Sequence, residues 1–300
     1  MCPQTEMGRW GVMDAFRQAR FLLLLLFNFM KQTVLITGTS SGIGKATARY
    51  FAQQGWQVAA TMRSPEKDTE LAGTPGVKVF KLDVTDSAAV ASAFDAVEAA
   101  FGKIDVVVNN AGYGVDGVFE AMGDAVIERQ FNTNVFGLMR VTREAIKRMR
   151  PGGGGTIVQI ASMGGRLAFP LYSIYHGTKW AVEGFSEALQ YELRGLNIKL
   201  RVIEPGAIKT EFYGAGRVFV KPEGTNAYDA LVEKGVNLSM ETGEKGANPE
   251  VVAKAVLKAA TDTGWKLRYP VGAPAPMLLL LKKLLPDSWF FAIIRSNYRI

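Results

Sequence analysis

Tyr175 and Lys179 stand four residues apart in Ser173–Leu193, where Ala181, Val182, Phe185, Leu189 and Leu193 give the apolar period of a helix. That spacing sets a phenol and an ammonium on one face. A phenol of ordinary pKa about 10 is a poor base at neutral pH, and bringing it down by about 3 takes roughly 4 kcal/mol. An ammonium about 5 Å away, at an effective dielectric of about 20, supplies roughly 3 kcal/mol of that. A positively charged ring nearby would supply the rest. The pair therefore suits a general acid or base that carries its own cation. The same spacing also falls on solvated helix faces, where neighbouring groups contribute little. A second run with chemical potential is Thr37-Gly38-Thr39-Ser40-Ser41-Gly42-Ile43-Gly44, directly behind the apolar Thr33-Val34-Leu35-Ile36. A strand, a glycine-rich turn and a helix present backbone N–H groups and a helix N-terminus to a pyrophosphate. Glycine is needed because a β-carbon would hold the ligand off the backbone.

These groups need a scaffold, and the chain supplies one by alternating strand and helix. The sequence predicts strands at Thr33–Thr37, Gln57–Thr61, Val77–Lys81, Ile104–Val108, Thr156–Ile160, Ile198–Ile203 and Lys266–Tyr269. Helices are expected at Ser87–Phe101, Asp124–Met149, Ser173–Leu193 and Pro249–Thr261. Near-continuous apolar runs such as Val106-Val107-Val108 fit strands buried on both faces. The expected fold class is α/β: a single-domain Rossmann-type doubly wound parallel sheet of about seven strands, with helices on both faces. Three hundred residues bury one sizeable core. Gly152–Gly155 reads as a loop before a strand, with no phosphate role.

Composition removes several function classes. The single cysteine, Cys2, excludes a disulfide framework and a thiolate metal site. His176 is the only histidine, which excludes a histidine-rich metal centre, and it reads as structural. Tyr172, with His176 four residues on, is a rival acid/base pair. The net charge of +7 is unevenly spread: residues 266–300 carry six basic side chains against the single Asp287. No basic groove with interleaved aromatics appears, so no nucleic-acid partner is expected.

Thr37-Gly38-(three residues)-Gly42-Ile43-Gly44, Asn109-Asn110-Ala111-Gly112, Ser162, Tyr175-(three residues)-Lys179 and Pro205-Gly206 occur in one order. Together they resemble the classical short-chain dehydrogenase/reductase family over roughly Lys31 to Tyr269. The resemblance implies hydride transfer between a nicotinamide and a carbonyl or alcohol carbon. Tyr175 would be the general acid/base, and Lys179 would depress the phenol pKa and bind the nicotinamide ribose. Ser162 would orient the substrate oxygen, and Asn134 would hold a water linking Lys179 to solvent. The cofactor would meet Gly38, Ser40, Ser41, Gly42, Ile43, Gly44, Ala111 and Gly112. Asp83 and Val84 would contact adenine and Asn109 the ribose side, although the Asn-Asn-Ala-Gly run serves equally to brace the fourth strand. Pro205, Gly206, Ile208 and Thr210 complete the nicotinamide end. Sites of this type that prefer NAD place a carboxylate after the second strand. Here Ala59-Ala60-Thr61-Met62-Arg63-Ser64 offers Arg63 instead, a bidentate partner for a 2′-phosphate. NADP(H) is expected over NAD.

Within the family, Arg63 and Arg268-Tyr269-Pro270-Val271-Gly272 resemble hydroxysteroid and retinol dehydrogenase-like members. Phe212, Tyr213, Phe219, Tyr228 and Met277–Leu281 suggest an apolar pocket for a hydrophobic alcohol, ketone or aldehyde. An NADP-binding regulatory protein on the same fold is the alternative. Residues 1–29 read as an N-terminal extension without catalytic role, since Phe21–Phe29 is too short to span a membrane. Residues 30–270 form the expected domain, with a substrate loop about 207–248, and 271–300 an apolar, basic tail. Met277, Leu280, Leu281, Leu284 and Leu285 make a helical stripe ended by Pro286, expected to pack on the core or an oligomer surface, to cover the pocket, or to touch a membrane surface. A cytoplasmic homodimer or homotetramer is expected.

Overall fold

Val34, Leu35 and Ile36 have no solvent exposure, and the strand they form is the one about which the sheet is wound. The structure is a computed structural model describing residues 31–212 and 218–298. Its strands, in chain order, are β1 (Thr33–Thr37), β2 (Gln57–Met62), β3 (Val77–Lys81), β4 (Val106–Asn109), β5 (Val115–Gly117), β6 (Gly155–Ile160), β7 (Ile198–Pro205), β8 (Val218–Val220) and β9 (Arg268–Val271). The α-helices are α1 (Gly42–Gln53), α2 (Ser87–Phe101), α3 (Asp124–Phe131), α4 (Leu138–Met149), α5 (Ser173–Arg194), α6 (Asp229–Lys245), α7 (Pro249–Thr261), α8 (Ala275–Leu284) and α9 (Asp287–Tyr298).

Seven strands pair in parallel in the order β3-β2-β1-β4-β6-β7-β9. The order reverses between β1 and β4, and such a switch point opens a crevice at the carboxyl ends of the strands. Alternation of side chains across the sheet builds two cores. Val34 and Ile36 pack with Phe51 of α1 and Val252 and Val256 of α7. Leu35 faces the other way, toward Phe94 of α2, Val141 of α4 and Leu189 of α5. Arg201 of β7 is fully buried and donates to the carbonyls of Ala259, Asp262, Gly264 and Lys266, tying α7 to the approach of β9.

Four elements differ from the sequence reading. The helix expected over Asp124–Met149 is interrupted by a π-helical turn at Asn132–Gly137. Polar side chains there bond backbone: Thr133 Oγ1 donates to Arg129 O at 3.1 Å, and Asn134 reaches Tyr113. The segment read as an aperiodic loop after Pro205-Gly206 contains α6 and β8, the latter pairing with β5 in a separate two-stranded ribbon. Strands of three residues carry too little pattern to read from sequence. A further helix, α9, follows Pro286.

The stripe of the tail is the fourth difference. Met277, Leu280 and Leu284 are 59%, 56% and 69% exposed. The face of α8 that packs is offset from it: Ala275 and Leu279, with Phe290 of α9, bury against Met163 and Leu167. Phe290→Ala should therefore cost about 3 kcal/mol, read as a lower denaturant midpoint at unchanged slope; an unchanged midpoint would show that α9 does not carry fold stability. Among the described residues no helix is long and apolar enough to cross a membrane. The expected extension 1–29, Tyr213 and Arg299 lie outside the described residues.

Candidate active site

The turn after β1 is shaped by what its glycines exclude. Gly38 has φ +70°, and a β-carbon there would sit 2.8 Å from the Cα of Ala111. At Gly44 it would lie 2.2 Å from the Gly38 carbonyl oxygen. Asn110 fixes the turn by donating Nδ2 to the carbonyls of Thr37 and Gly38, both at 2.9 Å. In return, Thr37 Oγ1 accepts from the N–H groups of Asn110 and Ala111. The turns after β1 and β4 are thus stitched together at the switch point. Ser41 precedes α1 without capping it by its side chain, so the first-turn N–H groups remain for an anion. Ser40, Ser41, Gly42 and Ile43 line a cleft of about 1160 Å³, larger than usual for one small ligand.

Arg63, Asp83 and Val84 line the same cleft. Arg63 follows β2 and is exposed. Against the cost of burial, the N–H and hydroxyl of Thr85 and the charge of Arg63 hold the Asp83 carboxyl below its ordinary range. Arg63 and Ser40 also border a smaller recess with Lys45, Ser64 and Lys67. These three cleft-edge residues were not singled out from sequence, since an isolated Lys or Ser carries no pattern.

Ser162, Tyr175 and Lys179 converge at the end of β6. Ser162 Oγ accepts from Gly164 N–H at 3.0 Å, fixing its rotamer, and its hydroxyl lies close enough to the Tyr175 phenol to favour the phenolate. Lys179 is buried, its Nζ 2.9 Å from the Ile160 carbonyl and 5.8 Å from the centre of the Tyr175 ring. His176 is buried with both nitrogens filled: Nδ1 donates to Gly164 O at 2.8 Å and Nε2 accepts from Phe169 N–H at 2.9 Å. Burial draws its pKa down to about 4. It is a neutral brace for the turn that carries Ser162. The rival pair is thereby dissolved, because Tyr172 bonds Ser239 Oγ at 2.7 Å and finds no open nitrogen on His176. Phe212 packs against Tyr175 with ring centres 5.0 Å apart.

Two expectations are corrected, and a further residue is placed. Asn109 does not reach the cleft; its Nδ2 donates to Thr142 Oγ1 and Gln159 Oε1 in the buried interior, so it braces β4. Asn134 spends both amide hydrogens on Tyr113 O and Thr178 Oγ1, and its Oδ1 accepts from Tyr113 N–H. Its side chain therefore ties the turn after Gly112 to α5. Finally, Lys179 does not depress the phenol here. Burial pushes Tyr175 up to about 12, with the Ser162 hydroxyl acting in the opposite sense, and burial draws Lys179 itself down to about 8. The desolvation cost is the larger effect on both groups. The remaining expected residues, Gly38, Ala111, Gly112, Pro205, Gly206, Ile208 and Thr210, all line the cleft. Gly44 lies behind it, where it permits close packing.

The pattern of the family described as short chain dehydrogenase matches residues 32–217. The chain belongs to this family. This short-chain dehydrogenase is 31% identical over 270 residues to the 3-ketodihydrosphingosine reductase of Bacteroides thetaiotaomicron, covering 90% of this chain and 98% of the relative. It is similar to the crystal structure of a short-chain dehydrogenase from Streptomyces avermitilis, with 33% identity, a TM-score of 0.74, and coverage of 90% of this chain and 97% of that one. ElxO with NADP bound gives 27% identity and a TM-score of 0.66, covering 80% of this chain and 98% of that one. The chain is thus an oxidoreductase on a Rossmann-like domain.

Proposed function

We propose that this short-chain dehydrogenase is an NADP(H)-dependent oxidoreductase that reduces the carbonyl of an apolar small molecule, with Tyr175 as general acid. The observation carrying this reading is the convergence of the Ser162 and Tyr175 hydroxyls and the buried Lys179 ammonium in the cleft that Arg63 also borders. The chain fits a dinucleotide: its glycine turn admits no β-carbon at Gly38 or Gly44, and α1 offers uncapped N–H groups. Gly38, Ser40–Ile43, Arg63, Asp83, Val84, Ala111, Gly112, Pro205, Gly206, Ile208 and Thr210 would hold it. Bound there, the cofactor supplies the hydride.

The protein's own contribution is proton and position. Tyr175 would hand its phenolic proton to the oxygen of a carbonyl as it is reduced, and take one back in the reverse direction. Ser162 donates to or accepts from the substrate oxygen and aligns it with the phenol. Lys179 supplies positive charge beside both and a donor for the cofactor ribose. Phe169, Phe212, Leu238, Leu278 and Ile294 wall the cleft with apolar surface, so the substrate is expected to be apolar. The name of the Bacteroides relative indicates a keto substrate for that protein, in keeping with this reading. The resemblance of Arg63 and Arg268–Gly272 to hydroxysteroid and retinol dehydrogenase-like members points the same way.

Cofactor preference is tested by Arg63→Asp. A carboxylate repels a 2′-phosphate and accepts from a 2′-hydroxyl, so the NADPH:NADH ratio of kcat/KM should fall about 30-fold, or about 2 kcal/mol. A ratio that changes less than about twofold would make Arg63 a solvated cation only.

A further inference from the structure

Behind Lys179 lies a buried cluster of charges that the chemistry above does not use. Glu183, one helical turn further along α5, is 4% exposed, and Glu204 near the end of β7 is fully buried. Arg268 of β9 donates Nε to Glu183 Oε2 at 2.9 Å, lies 3.9 Å from Glu204 Oε1, and bonds Glu187 at the rim. Arg166, just past the turn that carries Ser162, donates to Glu204 Oε1 at 3.2 Å. Two guanidinium groups therefore face three carboxylates. Glu183 Oε1 and Glu204 Oε2 are buried without a hydrogen-bond partner.

A third cation, Lys179, is buried one turn before Glu183 on the same face of α5. Its one hydrogen bond is to a neutral carbonyl, which cannot compensate a buried ammonium. The packing couples the two sites directly. A β-carbon on Gly165 would lie 2.8 Å from Glu183 Cγ and 2.9 Å from the Lys179 carbonyl oxygen, so the Ser162 turn rests on this stretch of α5. Glu204 immediately precedes Pro205-Gly206 at the cleft.

We propose that Glu183 is a positioning residue for Lys179: its carboxylate is the buried counter-ion that keeps the ammonium charged at the site, and Arg166, Arg268 and Glu204 fix that carboxylate in place. The importance of this for turnover rests on the reading of Lys179 as the working cation. Burial pushes Glu183 up to about 7, with the charge of Glu204 adding to it, while burial draws Lys179 down to about 8. Glu183 raises Lys179, while Arg268 and Arg166 favour the Glu183 carboxylate itself. Glu183 favours the ammonium form, so its removal must lower the pH at which Lys179 loses its proton.

The test uses cofactor-free full-length protein with lysine labelled by 13C at Cε, the Lys179 signal being the one missing in Lys179→Arg. Glu183→Gln keeps the shape and can still accept from Arg268. Its Lys179 midpoint should fall by at least about one pH unit. NADPH affinity should then drop about tenfold at pH 8 and stay within about threefold at pH 6.5. Glu204→Gln leaves Glu183 as the remaining buried carboxylate against Arg166 and Arg268, with Glu187 at the rim, and its Lys179 midpoint should hold or rise. In wild type, the same signal should show a second, smaller inflection as Glu183 titrates, which needs no variant to fold. An unmoved midpoint, a missing inflection, or an equal fall in Glu204→Gln overturns the assignment. A midpoint that falls while affinity and turnover ignore pH would uphold the counter-ion and overturn the role given to Lys179.

Discussion

Tyr175→Phe should lower turnover about 10³-fold while NADPH affinity stays within about threefold. The substitution removes one oxygen, the one beside Ser162, and keeps the ring that packs on Phe212 and His176. Little else changes, so the loss reads the proton transfer itself. Tyr172 cannot take over, because its hydroxyl is bonded to Ser239 and both nitrogens of His176 are filled by backbone. The check is kcat against a fluorescence titration with NADPH on the same preparation. Turnover within about tenfold of wild type would move the acid elsewhere and leave Tyr175 as a wall of the cleft.

Lys179→Ala should damage both quantities, lowering kcat/KM about 10³-fold and NADPH affinity about tenfold or more. The ammonium is buried beside the Tyr175 ring and would be a donor for the cofactor ribose. A fall in affinity alone, with kcat preserved, would separate binding from chemistry and remove Lys179 from the proton step.

Much of this was legible in the chain. Val34, Ile36 and Val106–Val108 announce strands because a parallel sheet covered on both faces admits only apolar side chains there. Tyr175 and Lys179 were visible because helical spacing alone brings them together. What escaped reading depends on tertiary contact. Asn109 and Asn110 are identical letters, and only alternation along β4 sends one into the Thr142–Gln159 network and the other to the Gly38 turn. The π turn at Asn134 comes from a bond to Tyr113, 21 residues away, and no local period records it. In the tail, Met277 and Leu280 share the period of a buried stripe, but Leu279 and Phe290 meet Met163 and Leu167 and decide the face. The phenol failed to follow its cation because burial, which sequence spacing does not measure, acts on both groups at once.

The central claim is hydride transfer to an apolar carbonyl, and isotope transfer tests it most directly. NADPH deuterated at the nicotinamide C4, in each diastereomer, is incubated with the protein and a panel of apolar aldehydes, ketones and steroids, and the alcohol products are weighed by mass spectrometry. The account predicts product one mass unit heavier from one diastereomer only, with NADH at least about tenfold less effective and Tyr175→Phe giving almost none. NADPH that binds tightly yet passes no deuterium to any member of the panel would contradict it and favour a cofactor-binding regulatory protein on the same fold.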